Sequence, residues 1–372
     1  MEKELLFSDS IVANDKYVWY IPLKKNILIQ IDRNTGKAIL CGNIPVEKEC
    51  YIAYRVIFLY NKRIYLLPYD ANQLCIYDIK DRKFIIEDIP KHEEKQCRFT
   101  AYSVVDGVAV VSGQFSKILF IDLNTGDMEW KSYGSAISEK ERTDFFVWRS
   151  SFIYEGHVII PFWKLPYFLS VNVRDKIVEI KFMDVKENAV FDNHFLYNGK
   201  LYSLVTGNEK AKIYVYDLKC MTLEEIELNI DVPDSYFRCI GFATVYNDTI
   251  VLFPGAFDSV ISIDVTSFET KEFTELPIVT MSELGRTFPY EFNYRNGFCD
   301  RDGHIITLHP WTGQLVDLNM TSREVNIIRI DDSLCNWNEV IRNEIENNGA
   351  DILYEWHSEF LGEFVKNLMN KN

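Results

Sequence analysis

An acidic or amide residue closes an apolar run seven times in this chain: Asp32 after ILIQI, Asp78 after LCIY, Asp122 after ILFI, Asn172 after FLSV, Asp217 after IYVY, Asp264 after VISI and Asp317 after QLV. A ring of carboxylates is raw material for a metal site or for general acid chemistry. Repetition argues against that use. A reaction needs a given carboxylate once or as a pair, whereas one present in every repeat serves what every repeat needs. Such a residue accepts hydrogen bonds from backbone N–H groups of the turn that follows its strand.

Residues that do not repeat are better carriers of chemistry. Upstream of the first strand of successive units stand Arg55, Arg98, Trp148 with Arg149, Asp192 with His194, Arg238, and Tyr290 with Glu291. After the second strand come Tyr69, Phe115, Phe162 with Trp163, Phe257, and His309 with Trp311. Guanidinium groups offer planar forks to carboxylate or phosphate, and Trp and Tyr offer flat apolar area with a polar tip. From this set Arg55, Tyr69, Arg98, Trp148, Arg149, Trp163, His194, Arg238, His309 and Trp311 are expected to line a ligand-binding mouth. An alternative site uses His194, Glu291 and His309 as the catalytic groups of a lyase or glycan-active enzyme. No HxH or HxxxH spacing supports a metal there, so no metal or other cofactor is expected. The chain also has no GxSxG elbow and no phosphate-cradling GxGxxG or GxxxxGK loop.

The elements that must position these residues follow from the markers, which stand about 44 to 53 residues apart. That is the period of a four-stranded propeller blade, roughly 40 to 50 residues. In the second unit the strands read RVIFLY, a turn at Asn61 and Lys62, then IYLLPY, LCIYDI and KFIIEDI. The sixth repeats it with FATVY, Asn247 and Asp248, IVLFP, VISIDV and KEFTEL. The third gives YSVV, Asp106 and Gly107, VAVVSG, ILFIDL and DMEW. Asn34-Thr35-Gly36 and Asn124-Thr125-Gly126 supply turn chemistry after the third strand. Closing seven such units into a ring leaves few exposed strand edges. The expectation is an all-β, seven-bladed β-propeller with four-stranded antiparallel blades over residues 1–330. In such a blade the second-to-third loops share one end with the connections between blades, which is where the non-repeating residues fall. His157 and His304 open second strands at the other end.

Residues 331–372 leave the pattern. Asp331, Asp332 and Ser333 can cap a helix start, NWNEVIRNEIE reads as helical, and Leu353, Trp356, Phe360, Phe364 and Leu368 recur by threes and fours. A C-terminal α-helical extension is expected, bracing the join between last and first blades or docking a partner.

Repeats such as VIFLYNKRIYLLPYDANQLCIYDIK resemble those of Kelch- and WD-like bacterial propeller proteins of unassigned function, over roughly residues 7 to 330. The resemblance implies the propeller fold and no particular activity. The Gly-Gly of Kelch repeats, the Trp-Asp of WD repeats and the sialidase Asp box are absent, so no catalytic residues carry over.

Composition narrows the function. With 47% hydrophobic and 14% aromatic residues the chain can build a full core. Its 40 Lys+Arg against 55 Asp+Glu, net −15, repel nucleic acid and anionic membrane as a whole-molecule effect. The N-terminal MEKELLFSDS carries charge and no signal-like apolar run, and no stretch reaches the roughly 18 apolar residues of a membrane span. Eight cysteines without CxxC spacing read as buried thiols of a reducing compartment. The sequence therefore points to a cytoplasmic, non-enzymatic binding protein whose partner is a protein, a peptide or an acidic glycan. A purely structural scaffold is a further alternative, and the sequence leaves the oligomeric state open.

Overall fold

The computed structural model describes residues 8–335 apart from 9, 23–24, 47–51, 92–97, 114–115, 134–150, 163–164, 186–190, 207–209, 232–239, 255–258, 274–275, 277–293, 295, 301 and 310–311. The expected C-terminal helices lie outside these residues.

Among the described residues twenty-eight strands form seven antiparallel sheets of four. Blade 1 holds β1 (Ile11–Ala13), β2 (Tyr17–Tyr20), β3 (Ile27–Asp32) and β4 (Ala38–Asn43); blade 2 holds β5 (Tyr54–Tyr60), β6 (Arg63–Pro68), β7 (Gln73–Asp78) and β8 (Lys83–Asp88). Blade 3 comprises β9 (Phe99–Val105), β10 (Val108–Gly113), β11 (Lys117–Asp122) and β12 (Met128–Ser132); blade 4, β13 (Phe152–Tyr154), β14 (His157–Pro161), β15 (Tyr167–Asn172) and β16 (Ile177–Phe182). Blade 5 has β17 (Phe191–Tyr197), β18 (Lys200–Val205), β19 (Lys210–Asp217) and β20 (Thr222–Asp231). Blade 6 has β21 (Ile240–Tyr246), β22 (Thr249–Pro254), β23 (Val260–Asp264) and β24 (Thr270–Phe273), and blade 7 has β25 (Gly297–Cys299), β26 (His304–His309), β27 (Gln314–Asn319) and β28 (Val325–Arg329).

Every blade is packed on both faces, which explains why the second and third strands are apolar almost throughout rather than alternating. In β6, Ile64 to Pro68 are all buried, and only Arg63 at the open end is exposed. The described core resolves into seven apolar clusters, each drawn from two neighbouring blades. One of them joins Ile11, Ile29 and Ile31 of blade 1 to Ile306, Leu308 and Leu315 of blade 7, so the ring is closed by the same burial that holds adjacent blades.

Turn chemistry sets the register. The hairpins between first and second strands place Asn61 and Lys62, Asp106 and Gly107, Glu155 and Gly156, and Asn198 and Gly199 at positive φ. These pairs match the primed turns whose twist suits a two-residue hairpin. Between third and fourth strands the marker side chain accepts backbone N–H groups: Asp32 Oδ1 from Asn34 and Thr35, Asp78 Oδ1 from Lys80 and Asp81, Asp217 Oδ1 from Lys219 and Cys220. Four residues after each marker the chain takes positive φ, at Gly36, Arg82, Gly126, Lys176, Met221, Phe268 and Arg323.

That rule corrects one reading of the sequence. In blade 7 the residue accepting the turn N–H groups, from Thr321 and Ser322, is Asn319, and Arg323 follows four later. Asp317 sits two residues too early, inside β27, and does something else. Its Oδ2 accepts from Arg33 Nη2 of blade 1 at 2.7 Å, and its Oδ1 pairs with His304 Nδ1 at 2.7 Å. The seam is further tied by Ala38 N–H to Asp331 O at 2.7 Å and Asp331 N–H to Gly36 O at 2.9 Å.

Candidate functional site

A second local irregularity places the residues at the other end of the blades. The first strands of blades 2, 3, 5 and 6 each slip register at their second residue: Arg55, Thr100, Asp192 and Gly241 have no Cα partner on the neighbouring strand. A bulge at a strand's entry bends it and re-aims the side chain. The same backbone device thus recurs in four blades with a different side chain on each, and in blade 2 the side chain is an arginine.

Arg55 turns over the ring of Tyr69, its guanidinium carbon 4.9 Å from the ring centroid. Arg98, from the connection into blade 3, reaches the same ring at 5.7 Å. The tyrosine is fixed by its backbone, with Tyr69 N–H donating to Ala53 O at 2.7 Å and Arg98 N–H to Tyr69 O at 2.9 Å. Arg98 holds this position with a positive φ of 36°. Asp70, which sequence reasoning passed over, completes the group: its Oδ2 accepts from Ile52 N–H at 3.3 Å, and its Oδ1 lies 3.8 Å from Arg98 Nε. Arg98 is 43% exposed and Asp70 19%. Two cations therefore share one aromatic face with one carboxylate beside them, and planar guanidinium groups are the side chains suited to carboxylate or phosphate. The PYD tripeptide after β6 was the available signal for Asp70, since an acid next to the expected ring carries a charge into the same loop.

His194 and His309 are placed differently from the mouth residues. His194 lies within β17, not upstream of it, and is buried. Its Nδ1 pairs with Ser203 Oγ at 2.9 Å and its ring tilts against Phe191 at 5.3 Å, in the contact between blades 4 and 5. Burial pushes this imidazole down to about 3; the Phe162 backbone opposes the shift, but no hydrogen bond of ordinary geometry closes on Nε2. His309 ends β26, with Thr312 Oγ1 2.8 Å from its Nδ1 and Tyr294 edge-on at 5.0 Å, in the contact between blades 6 and 7. Burial lowers it to about 4. The two imidazoles are thus built into different inter-blade contacts. Among the described residues no group of three His, Cys, Asp or Glu side chains is arranged to hold a metal ion. Trp148, Arg149, Trp163, Arg238, Glu291 and Trp311 lie outside the described residues. His157 and His304 open β14 and β26 at the far end, as expected.

The first strands β1, β5, β9, β13, β17, β21 and β25 are each the edge of their sheet, and together they enclose a central cavity of about 380 Å³. Val56, next to Arg55, and Thr100, two residues after Arg98, belong to its wall.

No protein-family profile matches the chain, and no curated protein matches it. Solved structures match the whole architecture. A streptogramin B lyase superimposes with a TM-score of 0.60 at 12% identity, over 83% of this chain and 92% of that one. Virginiamycin B lyase from Staphylococcus aureus gives 0.57 at 13%, over 81% and 91%. BamB from Moraxella catarrhalis gives 0.51 at 9%, over 82% and 81%. At these identities the likeness is one of fold, the seven-bladed propeller.

Proposed function

We propose that the chain is a binding propeller that takes an anionic ligand, a peptide, a protein segment or an acidic glycan, at the end of the ring where Arg55, Tyr69 and Arg98 meet. The observation that carries this reading is the pair of guanidinium groups set 4.9 and 5.7 Å from one tyrosine ring, with Arg98 43% exposed. In a molecule of net charge −15, such a cationic spot is a local exception to a repelling field. Trp148, Arg149, Trp163, Arg238 and Trp311 belong to the same proposed surface by their place in the repeat, and kinship with Kelch- and WD-like propellers is part of the same reading. The lyase alternative has less support, because His194 and His309 serve separate inter-blade contacts and each is buried.

The test uses a labelled hexaglutamate peptide and a trigalacturonate as probes at low salt. Arg55→Ala and Arg98→Ala should each weaken the bound probe by about 1.5 to 3 kcal/mol, roughly 10- to 150-fold. Arg→Lys at either place should restore part of the loss, since charge returns without the planar fork. Equal binding by wild type and both Ala variants, or no binding of either probe, would overturn the reading.

A further inference from the structure

The central cavity carries an inference independent of the arginine mouth. Its volume, about 380 Å³, falls in the range of roughly 300 to 1,000 Å³ typical of small-molecule sites. No Asp, Glu, Lys or Arg is among its described lining residues. An ion buried against these residues would lose hydration with no countercharge among them to replace it, so the described lining favours neutral occupants.

Neutral hydrogen-bonding capacity is plentiful. The seven first strands present their unladdered inner edges to the cavity, as sheet edges do. Asn193 lines it and brings a carboxamide, a group with two donors and an acceptor, to the wall. His194 lines it too, 4% exposed, and its buried Nε2 has the Phe162 backbone near it but closes no hydrogen bond of ordinary geometry. A polar nitrogen in that condition normally has a partner, whether protein, water or ligand. The Thr244 hydroxyl adds a further polar group, and Phe152, Phe242 and Phe298 add ring surface. Hydroxyl groups paired to amide and imidazole, with C–H faces laid on aromatic rings, are the two halves of one kind of molecule.

We propose that the central cavity binds a neutral, hydroxyl-rich small molecule of the sugar or polyol class, held by Asn193 and His194.

The experiment is saturation-transfer NMR and titration calorimetry on the full chain, with D-glucose, maltose, myo-inositol and D-glucuronate. At least one neutral compound should bind, Asn193→Ala should weaken it about tenfold or more, and Thr244→Phe, which fills the cavity, should abolish it. Thermal melts without ligand establish that each variant is folded; should Thr244→Phe fail to fold, Asn193→Ala decides. The Arg55→Ala/Arg98→Ala double variant should bind the neutral compound as the wild type does, which separates this site from the anionic one. Several results would overturn the proposal: no neutral binding up to ~10 mM, affinity unchanged in Asn193→Ala, glucuronate bound as well as glucose, or loss of neutral binding in the arginine double variant.

Discussion

Asp317 stands between His304 and Arg33, one carboxylate oxygen 2.7 Å from each, and thereby couples two strands of blade 7 to the first blade of the ring. The hydrogen-bond directions can be assigned. Asn319 Oδ1 accepts from Thr321 and Ser322, so its amide nitrogen faces His304 Nε2 at 3.2 Å. Nε2 must then accept, which puts the imidazole proton on Nδ1, donating to Asp317. Arg33 also donates to Asn14 O at 2.8 Å, and Asp300 lies 3.8 Å away. The seam thus has a polar latch at one end in addition to its apolar cluster.

Removing the acid should cost the latch more than its exposed counterparts. The Arg33 and Asp317 side chains are 10% and 13% exposed, so Asp317→Asn leaves a largely buried cation with Asp300 as the remaining acid beside it among the described residues. A loss of about 2 to 3 kcal/mol is expected, below the usual value for a fully buried pair because Asp300 compensates in part. The control is Asp81→Asn, whose partner Lys83 sits 3.6 Å away with both side chains more than half exposed. That change should cost about 0.5 kcal/mol or less. Urea denaturation of both variants reads the difference directly, and equal midpoints would remove the latch from the account.

The buried imidazoles set the acid limb of stability. His194 and His309 are held below their ordinary 6.5, to about 3 and about 4, by burial. Between those values and 6.5 the unfolded chain binds more protons than the folded one, so unfolding free energy falls as pH falls. The loss should begin near pH 6.5 and amount to several kcal/mol before the turn carboxylates contribute. Those act later: backbone N–H groups, from Asp81 at Asp78, Thr125 at Asp122 and Cys220 at Asp217, hold these carboxyls below 3.8. Their contribution is present above the unfolded value and is lost as pH drops through the folded one. Chemical denaturation at a series of pH values should show the decline, and His194→Gln/His309→Gln should flatten it above about pH 4. A flat wild-type profile from pH 6.5 to 4 would contradict the burial of neutral imidazoles.

The seven blades were legible because their determinants are local. Strand runs, primed-turn pairs and marker residues each recur at fixed offsets, and a misplaced element would break several at once. Asp317 shows where that legibility stops. QLVD has the same form as the true markers, and the turn N–H groups received by Asn319, with the positive φ of Arg323 four residues on, reveal the two-residue shift. Arg55, Tyr69 and Arg98 were legible as residues of one end of the ring, and the structure brings those three together. The bulge that separates Arg55 from the position of Arg98 was not legible, since an unpaired residue depends on the neighbouring strand's register. For the same reason His194 lies inside β17 rather than upstream of it. FDNHFLY is one strand with a bulge near its start, and the slip puts His194 on the face that packs against blade 4.

The fourth-after-marker position makes opposite demands in different blades, and substitution should show both. Gly36 has φ +72°, and a Cβ there would come 2.2 Å from Arg329 O across the seam. Gly36→Ala must therefore strain the turn and push the last blade from the first, with an expected loss of about 2 kcal/mol or more. Arg82 occupies the equivalent turn of blade 2 at φ 51° and is exposed, so its side chain gives little in return for the left-handed backbone. Arg82→Gly should stabilise by about 0.5 to 1 kcal/mol, the relief of that strain less the entropy glycine adds to the unfolded chain. Paired thermal melts measure both. Destabilisation by Arg82→Gly, or tolerance of Gly36→Ala, would mean that the turns are not the equivalent units that the repeat makes them.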